Sequence, residues 1–319
     1  MSLRETDAAK ALKGRSLLSI ADLSRPELDA VFDMTRRLKE HVISPSDQRA
    51  IFEGKTLAMI FEKPSLRTRV SFETGIFQLG GHGIYLGPND ISLGKRESVG
   101  DVAQTLGRMV NIIMARVFEH DKVTGLATYS GVPVINGLSD LEHPCQALAD
   151  FYTIIEHKGK LDGLKLAFIG DGNNVAHSLM LLAAKMGTHF AIGCPKGYEP
   201  DSNVTAQAKE LAKETGASIE VLNDAVKAVD GADVVYTDVW ASMGQEAETE
   251  KRAKIFAPFQ VNMELMNHAK DDALFEHCLP AHRGSEVTDD VIDGKWSVAF
   301  DEAENRLHAQ KAVMVLLGS

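Results

Sequence analysis

The segment 55–79, KTLAMIFEKPSLRTRVSFETGIFQL, contains the pattern that decides the fold of this chain. Residues 55–62 form an apolar run typical of a buried strand, and residues 68–79 have the apolar spacing of a helix. The loop between them and the first two residues of the helix carry two hydroxyl groups, of Ser65 and Thr68, and two arginines, Arg67 and Arg69. Backbone N–H groups and the positive end of the helix dipole converge at such a helix start, which suits a bound phosphate. The segment therefore predicts a strand, an anion-binding loop and a helix in succession.

The same loop permits a purely structural interpretation. Arg69 and Glu73 lie four residues apart and can form an ion pair on the helix surface. On this segment alone, phosphate binding and a solvated or ion-paired helix start are equally compatible with the sequence. The rest of the chain has to decide between them.

The bulk properties are those of a globular protein with two domains. The chain has 319 residues, more than one compact core usually holds, so we expect two domains of about 150 residues each. Apolar residues make up 44% of the sequence and charged residues 25%. The sequence has neither the pattern of a membrane span nor that of a secretory signal. We therefore expect a cytoplasmic location and no membrane partner.

Charge and cysteine content narrow the range of partners. The net charge of −11 argues against nucleic acid as a partner. It also repels anionic substrates, so a phosphate ligand needs a local cluster of Arg and Lys. The three cysteines, Cys145, Cys194 and Cys278, show no Cys-x-x-Cys pairing, and we expect them to be reduced thiols.

Strand and helix patterns alternate along the chain. In the first half we predict strands at 56–61, 83–86, 110–115 and 132–135, with helices at 24–42, 68–79, 98–108 and 119–130. A helix at 144–157 follows, and the pattern then restarts with strands at 165–170, 189–193, 219–222, 233–237 and 274–278. Helices are predicted there at 174–186, 203–215 and 301–317.

This alternation predicts an α/β fold with two domains, each with a mainly parallel sheet flanked by helices, joined by inter-domain helices. We place the domains at 1–150 and 151–300. The C-terminal helix, 301–319, is expected to pack back toward the first domain.

Polar side chains follow the predicted strands. In open parallel sheets, ligands bind beyond the carboxyl ends of the strands, so chemistry is expected at these positions. They hold Ser65 to Arg69, Arg116, His143 to Gln146, Asp171 to Asn174, Asp238, and His277 to Pro280.

Two other interpretations compete with phosphate binding. The segment FIGDGNNVAHS, 168–178, leads from a strand through glycines to a helix, as in nicotinamide-binding proteins, but the third glycine of that motif is absent. Side chains that can bind metals are also present, at His143, Cys145, His277, Cys278 and His282. They lack the short paired spacing of zinc sites. We therefore expect neither a cofactor nor a metal.

Six motifs together resemble one enzyme family. In chain order they are SLRTR (65–69), HPCQ (143–146), DGNN (171–174), DVWASMG (238–244), FQVN (259–262) and HCLP (277–280). Across nearly the whole chain, this set resembles the ornithine carbamoyltransferases. The Ser-x-Arg-Thr-Arg motif is shared with aspartate carbamoyltransferases, whereas HPCQ, HCLP and DVWASMG are similar to the ornithine branch.

The resemblance implies an activity. The carbamoyl group of carbamoyl phosphate would pass to the δ-amine of L-ornithine, giving L-citrulline and phosphate, as in arginine biosynthesis. By the same resemblance, carbamoyl phosphate binds to domain 1–150 and ornithine to domain 151–300. It further implies a homotrimer in which the loop 88–97 reaches the site of a neighbouring subunit.

The resemblance also implies roles for individual residues. Catalytic roles fall to Arg67, Arg116, His143 and Cys278. Carbamoyl phosphate binding falls to Ser65, Leu66, Arg67, Thr68, Arg116, His143, Pro144, Cys145, Gln146, Cys278, Leu279 and Arg306. Ornithine binding falls to Asn174, Asp238, Ser242 and Met243. Arg69 is assigned to structure, through an ion pair with an acidic neighbour.

Two positions depart from the family pattern. Leu66 stands where the family commonly has Thr, so one hydroxyl contact to phosphate is lost. Ser92 stands where relatives often have Gln or His. The nearest alternative is a sister enzyme that acts on putrescine or acylated ornithine. From other classes, a nicotinamide-dependent oxidoreductase and a non-catalytic amino-acid-binding protein remain as alternatives.

Overall fold

The first part of the chain forms a parallel four-stranded sheet covered by helices. A computed structural model describes residues 6–241 and 248–318. The strands are β1 (Thr56–Phe61), β2 (His82–Leu86), β3 (Ile112–Arg116) and β4 (Val134–Leu138), in the order β2-β1-β3-β4. The helices are α1 (Asp7–Ala11), α2 (Arg25–Lys39), α3 (Pro45–Ile51), α4 (Leu66–Gln78), α5 (Pro88–Ile91), α6 (Val99–Gly107) and α7 (His120–Ser130), with a 3-10 turn at Ile20–Asp22.

The second part forms a parallel five-stranded sheet. After α8 (Pro144–Lys158) come β5 (Lys165–Ile169), β6 (His189–Gly193), β7 (Ile219–Leu222), β8 (Val234–Thr237) and β9 (Leu274–His277), in the order β7-β6-β5-β8-β9. The helices are α9 (Asn174–Met186), α10 (Ser202–Thr215), α11 (Ala225–Val229), α12 (Thr249–Phe256), α13 (Met263–Met266), α14 (Asp289–Ile292) and α15 (Ala299–Gly318), with a 3-10 turn at Ala257–Phe259.

The chain divides into two compact units. The first consists of Met1–Ala149 with Asn305–Ser319, and the second of Asp150–Glu304. Each unit has its own apolar core against its sheet. Ala58, Ile113 and Val134 belong to the core of the first unit, and Ala167, Val235 and Phe275 to that of the second. Burial on both faces explains why the central strands are almost continuously apolar.

The predicted strands and longer helices are confirmed, with small shifts at their ends. β4 begins at Val134, two residues later than predicted, and one reason is that Pro133 has no N–H to donate to the ladder. Pro133 still accepts a hydrogen bond from the N–H of Ile113 at 3.0 Å. Short helices such as α3 and α11 were not predicted, because one or two turns are too short to show a helical period.

Candidate active site

The loop between β1 and α4 arranges hydroxyl and N–H groups at a helix start. Ser65 caps α4, and its Oγ accepts from the Thr68 N–H at 3.5 Å and donates to Thr68 Oγ1 at 3.2 Å. The Leu66 side chain is 73% exposed. The leucine side chain has no hydrogen-bonding group, so this position can offer an anion only its backbone N–H, without the hydroxyl that Thr would add. The first N–H groups of a helix have no partner within the helix and suit an anion.

Arg306, in α15, joins this loop to α8. It is 2% exposed, and its guanidinium donates to Gln146 Oε1 and to Thr68 Oγ1, the latter at 3.3 Å. Gln310, oriented with its amide oxygen toward Arg306, accepts from Nε at 3.0 Å and from Nη2 at 2.8 Å. A planar guanidinium held on several sides keeps a fixed orientation, which favours bidentate binding of a phosphate or carboxylate.

His143 lies within the field of three arginines. Burial and the positive charges of Arg306, Arg116 and Arg67 hold the pKa of His143 well below its usual range. The imidazole is therefore neutral at neutral pH and can act as a hydrogen-bond donor without adding charge. Arg116 is the last residue of β3, so a strand end contributes to this group, as expected of a parallel sheet.

Arg69 lies in the first turn of α4 and contacts two side chains of the same unit. Its Nε donates to Glu73 at 3.0 Å, and its guanidinium lies 4.1 Å from the centre of the Tyr85 ring. The predicted ion pair with an acidic neighbour is thus present. The Arg69 guanidinium thus contacts Glu73 and Tyr85, which supports a structural role.

The start of α8 holds Cys145 in a buried position. Burial raises the pKa of Cys145 to about 12, and its Sγ–H donates to the Asn136 carbonyl at 3.5 Å. The thiol is therefore neither a nucleophile nor a thiolate ligand near neutral pH. The first residue of α8, Pro144, has no N–H. Cys145 is therefore the first residue of this helix that can offer a backbone N–H to an anion.

In the second unit, Asp238 accepts hydrogen bonds at the end of β8. Its Oδ1 accepts from Cys278 Sγ at 3.0 Å, and its Oδ2 accepts from Asn173 Nδ2 at 2.8 Å. Asn173 also caps α9, since its Oδ1 accepts from the N–H groups of Val175 and Ala176 at 3.0 and 3.1 Å. The sequence prediction assigned Asn174 and missed Asn173. An Asn just before a helix is a typical N-cap, and that signal could have found it.

Cys278 is held as a thiol. Burial and the carboxylate of Asp238 raise the pKa of Cys278 well above its usual range. The group therefore donates a hydrogen bond at neutral pH, and it does not act there as a proton-accepting thiolate. The next residue, Leu279, has φ +54°, an uncommon conformation for a side chain of this kind. The Leu279 N–H donates to His277 Nδ1 at 2.9 Å.

Asp238, His277 and Cys278 form a group of three in which one ligand-type atom from each residue lies within 4.8 Å of the other two. Both ring nitrogens of His277 already have partners, because Nδ1 accepts from Leu279 and Nε2 lies 3.3 Å from Glu286 Oε1. Metal binding through His277 would therefore require one of these bonds to break.

Arg252 is a further residue that the sequence analysis missed. It is 5% exposed, and its Nη1 donates to Asp171 Oδ2 and to the Trp240 carbonyl, both at 2.9 Å. It therefore joins the DGNN turn to the beginning of the DVWASMG segment. A charged partner far along the chain leaves no local sequence signal. The predicted ornithine-binding residues Ser242 and Met243 lie outside the described residues.

The glycine of the DGNN turn, Gly172, has a structural explanation. A Cβ on Gly172 would lie 2.2 Å from the backbone nitrogen of Pro200, so only glycine permits this close approach. Gly172 is thus needed for packing, and it gives no support to a dinucleotide site.

Among the described residues, no helix has the length and apolar character that a bilayer-spanning segment needs.

Two family models match the chain. The model described as aspartate/ornithine carbamoyltransferase, carbamoyl-P binding domain, matches residues 15–156. The model of the Asp/Orn binding domain of the same family matches residues 162–317. The chain therefore belongs to the aspartate/ornithine carbamoyltransferase family, and it is an enzyme of the carbamoyltransferase class. The resemblance inferred from its motifs is confirmed.

Individual relatives agree with this. The chain is 58% identical over 307 residues to the ornithine carbamoyltransferase of Thermococcus kodakarensis, covering 96% of this chain and 97% of the relative. It is 55% identical to the anabolic ornithine carbamoyltransferase of Pyrococcus furiosus over 309 residues, with 96% and 97% covered. The solved ornithine carbamoyltransferase from Pyrococcus furiosus, at 55% identity, has a TM-score of 0.92 over 96% of this chain and 98% of that chain. The predicted fold class is confirmed.

Proposed function

We propose that this chain transfers the carbamoyl group of carbamoyl phosphate to the δ-amine of L-ornithine, giving L-citrulline and phosphate. One observation carries the proposal. A buried Arg306, bonded to Thr68 and Gln146, lies with a neutral His143 among arginines at the carboxyl edge of a parallel sheet. This is the local cationic cluster that a chain of net charge −11 needs to bind a phosphate. The curated relatives described above are ornithine carbamoyltransferases.

The carbamoyl phosphate site is proposed to lie in the first unit. Ser65, Thr68 and the N–H groups at the start of α4 would hold the phosphate, together with Arg67, Arg116 and Arg306. His143 and Gln146 would contact the carbamoyl group, and the N–H groups at the start of α8 would assist them. The support is that most of these side chains lie at the carboxyl end of a strand or at one of two helix starts, and that Arg306 of α15 donates hydrogen bonds to Thr68 and Gln146.

The ornithine site is proposed to lie in the second unit. Asp238 would bind the α-ammonium group, and Asn174, at the start of α9, would face the α-carboxylate. Ser242 and Met243 are proposed for the same end of ornithine by resemblance. Cys278 and Leu279 would lie near the reacting amine and the carbamoyl group.

The chemistry needs these side chains and two substrates. The neutral δ-amine nitrogen forms a bond to the carbamoyl carbon, and an oxyanion develops on the carbonyl oxygen. The bond from carbon to the phosphate oxygen then breaks, and the proton that the amine nitrogen gives up passes to the departing phosphate, which leaves as hydrogen phosphate. Donors such as Arg67, Thr68, Arg116 and His143 would stabilise the oxyanion, each by about 3 kcal/mol on the scale of other oxyanion holes.

The protonated state of Cys278 limits what this side chain can do in the reaction. Because it is held protonated by burial and by Asp238, we propose that it orients the amine and does not take its proton. The pKa of the amine in solution is about 10 for a lysine-like group, so the bound state has to favour its neutral form.

Citrulline formation from carbamoyl phosphate and ornithine by the purified chain tests the proposal. Ornithine, putrescine, an acylated ornithine and aspartate should be compared as acceptors at saturating carbamoyl phosphate. We expect ornithine to have the highest kcat/KM and putrescine to be at least about tenfold lower, because putrescine lacks the carboxylate. A preference for putrescine or acylated ornithine would assign a sister activity, and no transfer to any amine would contradict the proposal.

We also propose a homotrimer with shared active sites. Helix α4 exposes Leu66, Val70 and Phe77, an apolar surface that a subunit contact would cover. The loop that contains Ser92 and Lys95 is proposed to reach the neighbouring site. Chains with Arg67→Ala should be refolded together with chains carrying Ser92→Ala and Lys95→Ala. Recovery of activity from two inactive parents would support sharing, and no recovery in verified mixed oligomers would contradict it.

The cellular role is proposed by analogy. One relative is named anabolic, so we propose a role in arginine biosynthesis. All three cysteines are free thiols, which is consistent with a reducing, cytoplasmic location. Growth of an arginine auxotroph that lacks this activity, rescued by the chain without added arginine, would support the anabolic role.

A further inference from the structure

A buried group of acidic side chains lies in the second unit and has no role in the reaction as described. Asp150, Glu276 and Glu302 are at most 1% exposed, and Tyr236 is fully buried. Like charges are costly to bury together, so such a group must share protons. We call these four residues the buried acid cluster.

The buried acid cluster lies directly behind the residues proposed to handle the amine. Tyr236 of β8 is paired with Glu276 of β9 in the ladder. Side chains two residues apart on a strand share a face, and the residues two positions further are Asp238 and Cys278. Asp238 and Cys278 therefore lie side by side just beyond the ladder pair of Tyr236 and Glu276, and the hydrogen bond between them joins the ends of the two strands.

Glu302 is the member of the buried acid cluster that touches both strands. Its Oε2 accepts from the His277 N–H of β9 at 2.8 Å, and its Oε1 accepts from the Tyr236 hydroxyl of β8 at 3.3 Å. Its carboxyl group is also hydrogen-bonded to the side chain of Asp150. A bond between two carboxyl groups requires a shared proton, so this pair holds at least one.

We propose that Glu302 is a positioning residue for carbamoyl transfer, which fixes the spacing of Asp238 and Cys278 by holding the ends of β8 and β9. The inference rests on the proposed function, because it assumes that Asp238 and Cys278 serve ornithine. A carboxyl group suits this task because each of its two oxygens accepts from a donor on a different strand. An amide has only one oxygen, so its NH2 group would face one of these donors.

Glu302→Gln tests the proposal with little change of shape. We expect kcat/KM for ornithine to fall about tenfold, the effect of one hydrogen bond left unmade. The KM for carbamoyl phosphate should stay within about twofold, because Glu302 contacts the ends of β8 and β9. Circular dichroism and a thermal melt would verify folding. An unchanged kcat/KM for ornithine in a folded variant would overturn the proposal.

Glu276→Gln is the matched control. Glu276 is fully buried in the same cluster, but neither of its oxygens has a hydrogen-bond partner among the described residues. The same chemical change there should leave kcat/KM for ornithine within about twofold. An equal loss in both variants would show that the cluster acts through its charge or packing, and would overturn a role specific to Glu302.

A double-mutant cycle separates positioning from simple destabilisation. If Glu302 acts through Asp238 and Cys278, adding Glu302→Gln to a variant that carries both Asp238→Ala and Cys278→Ala should cost less than about twofold, because both positioned groups are gone. Independent costs that multiply would contradict the proposal. If Glu302→Gln does not fold, Tyr236→Phe removes one of its donors, and we expect a loss of about threefold in kcat/KM for ornithine. No loss in that variant would then overturn the proposal.

The assay of the wild-type chain distinguishes a failure of the proposed function from a failure of the inference about Glu302. If the wild-type chain does not form citrulline, the proposed function fails. If it does so and Glu302→Gln retains full efficiency with ornithine, only the present inference fails.

Discussion

The carboxyl edges of the two sheets are built alike but carry opposite charge. In the first unit, arginines surround His143, and in the second unit, carboxyl groups surround Cys278. In both units, neighbouring charge and burial favour the neutral form of the central group. The arginines hold the imidazole unprotonated, whereas the carboxylates hold the thiol protonated. Two opposite environments thus produce two uncharged hydrogen-bonding groups, one suited to an anionic substrate and the other to an amine.

Removing a cation from the first edge should have the largest effect. Arg67→Ala should lower kcat at least about 100-fold, because the guanidinium is expected to serve both the phosphate and the developing oxyanion. Steady-state kinetics of citrulline formation would measure this. Arg69→Ala, which removes an arginine from the same turn, is the matched control and should retain kcat. Near-normal turnover in Arg67→Ala with only weaker ornithine binding would contradict the assignment.

Removing the anion from the second edge should have a smaller effect, on the other substrate. Asp238→Asn keeps the shape but loses the charge expected to bind the α-ammonium group, so kcat/KM for ornithine should fall about 30-fold. The KM for carbamoyl phosphate should change little. Putrescine lacks only the carboxylate and keeps an ammonium group at this end, so its kcat/KM should fall by a similar factor. A larger effect on carbamoyl phosphate than on ornithine would reverse the assignment of the two edges.

The neutral state of His143 should be visible in the pH dependence of stability. An unfolded His takes up a proton as the pH falls through about 6.5, whereas folded His143, with its lowered pKa, resists this. The folded state therefore loses stability as the pH falls below that value. His143→Gln removes this contribution, so its stability relative to wild type should rise by up to about 1.4 kcal/mol per pH unit.

Urea unfolding at pH 7.5, 6.5 and 5.5, values chosen to bracket the reference pKa of about 6.5, would measure the difference in slope. His268→Gln removes an exposed imidazole and serves as the control. Parallel stability curves for wild type and His143→Gln would mean that His143 takes up a proton in the folded state as readily as in the unfolded chain.

The smallest effect is expected at Arg69. Its ion pair with Glu73 is half-exposed, and its guanidinium also lies over Tyr85. Arg69→Ala should lower the free energy of unfolding by about 0.5–1 kcal/mol, since exposed pairs and exposed cation–π contacts are both weak. Urea unfolding at neutral pH would measure the loss. A tenfold fall in kcat without loss of stability would place Arg69 in the substrate site instead.

The fold was predictable from the sequence because its signals are local. An apolar run of four to six residues marks most of the buried strands, and a helical period marks each long helix, so β1, α4 and α9 lie close to their predicted positions. The motifs also identified the family. The short helices were not predictable, whereas the capping role of Asn173 could have been predicted from its place just before α9.

The sequence by itself determined the alternation of strands and helices, the polar strand ends and the family, since each depends on neighbouring residues. Only the tertiary structure decided which distant side chains meet. Arg306 of α15 reaches Thr68 across 238 residues, and Glu302 of the same helix reaches His277 of β9 and Tyr236 of β8. The tertiary structure also decided the protonation states of His143 and Cys278, because burial and neighbouring charge set them. No local pattern contains these facts, because they depend on how the strands and helices pack in three dimensions.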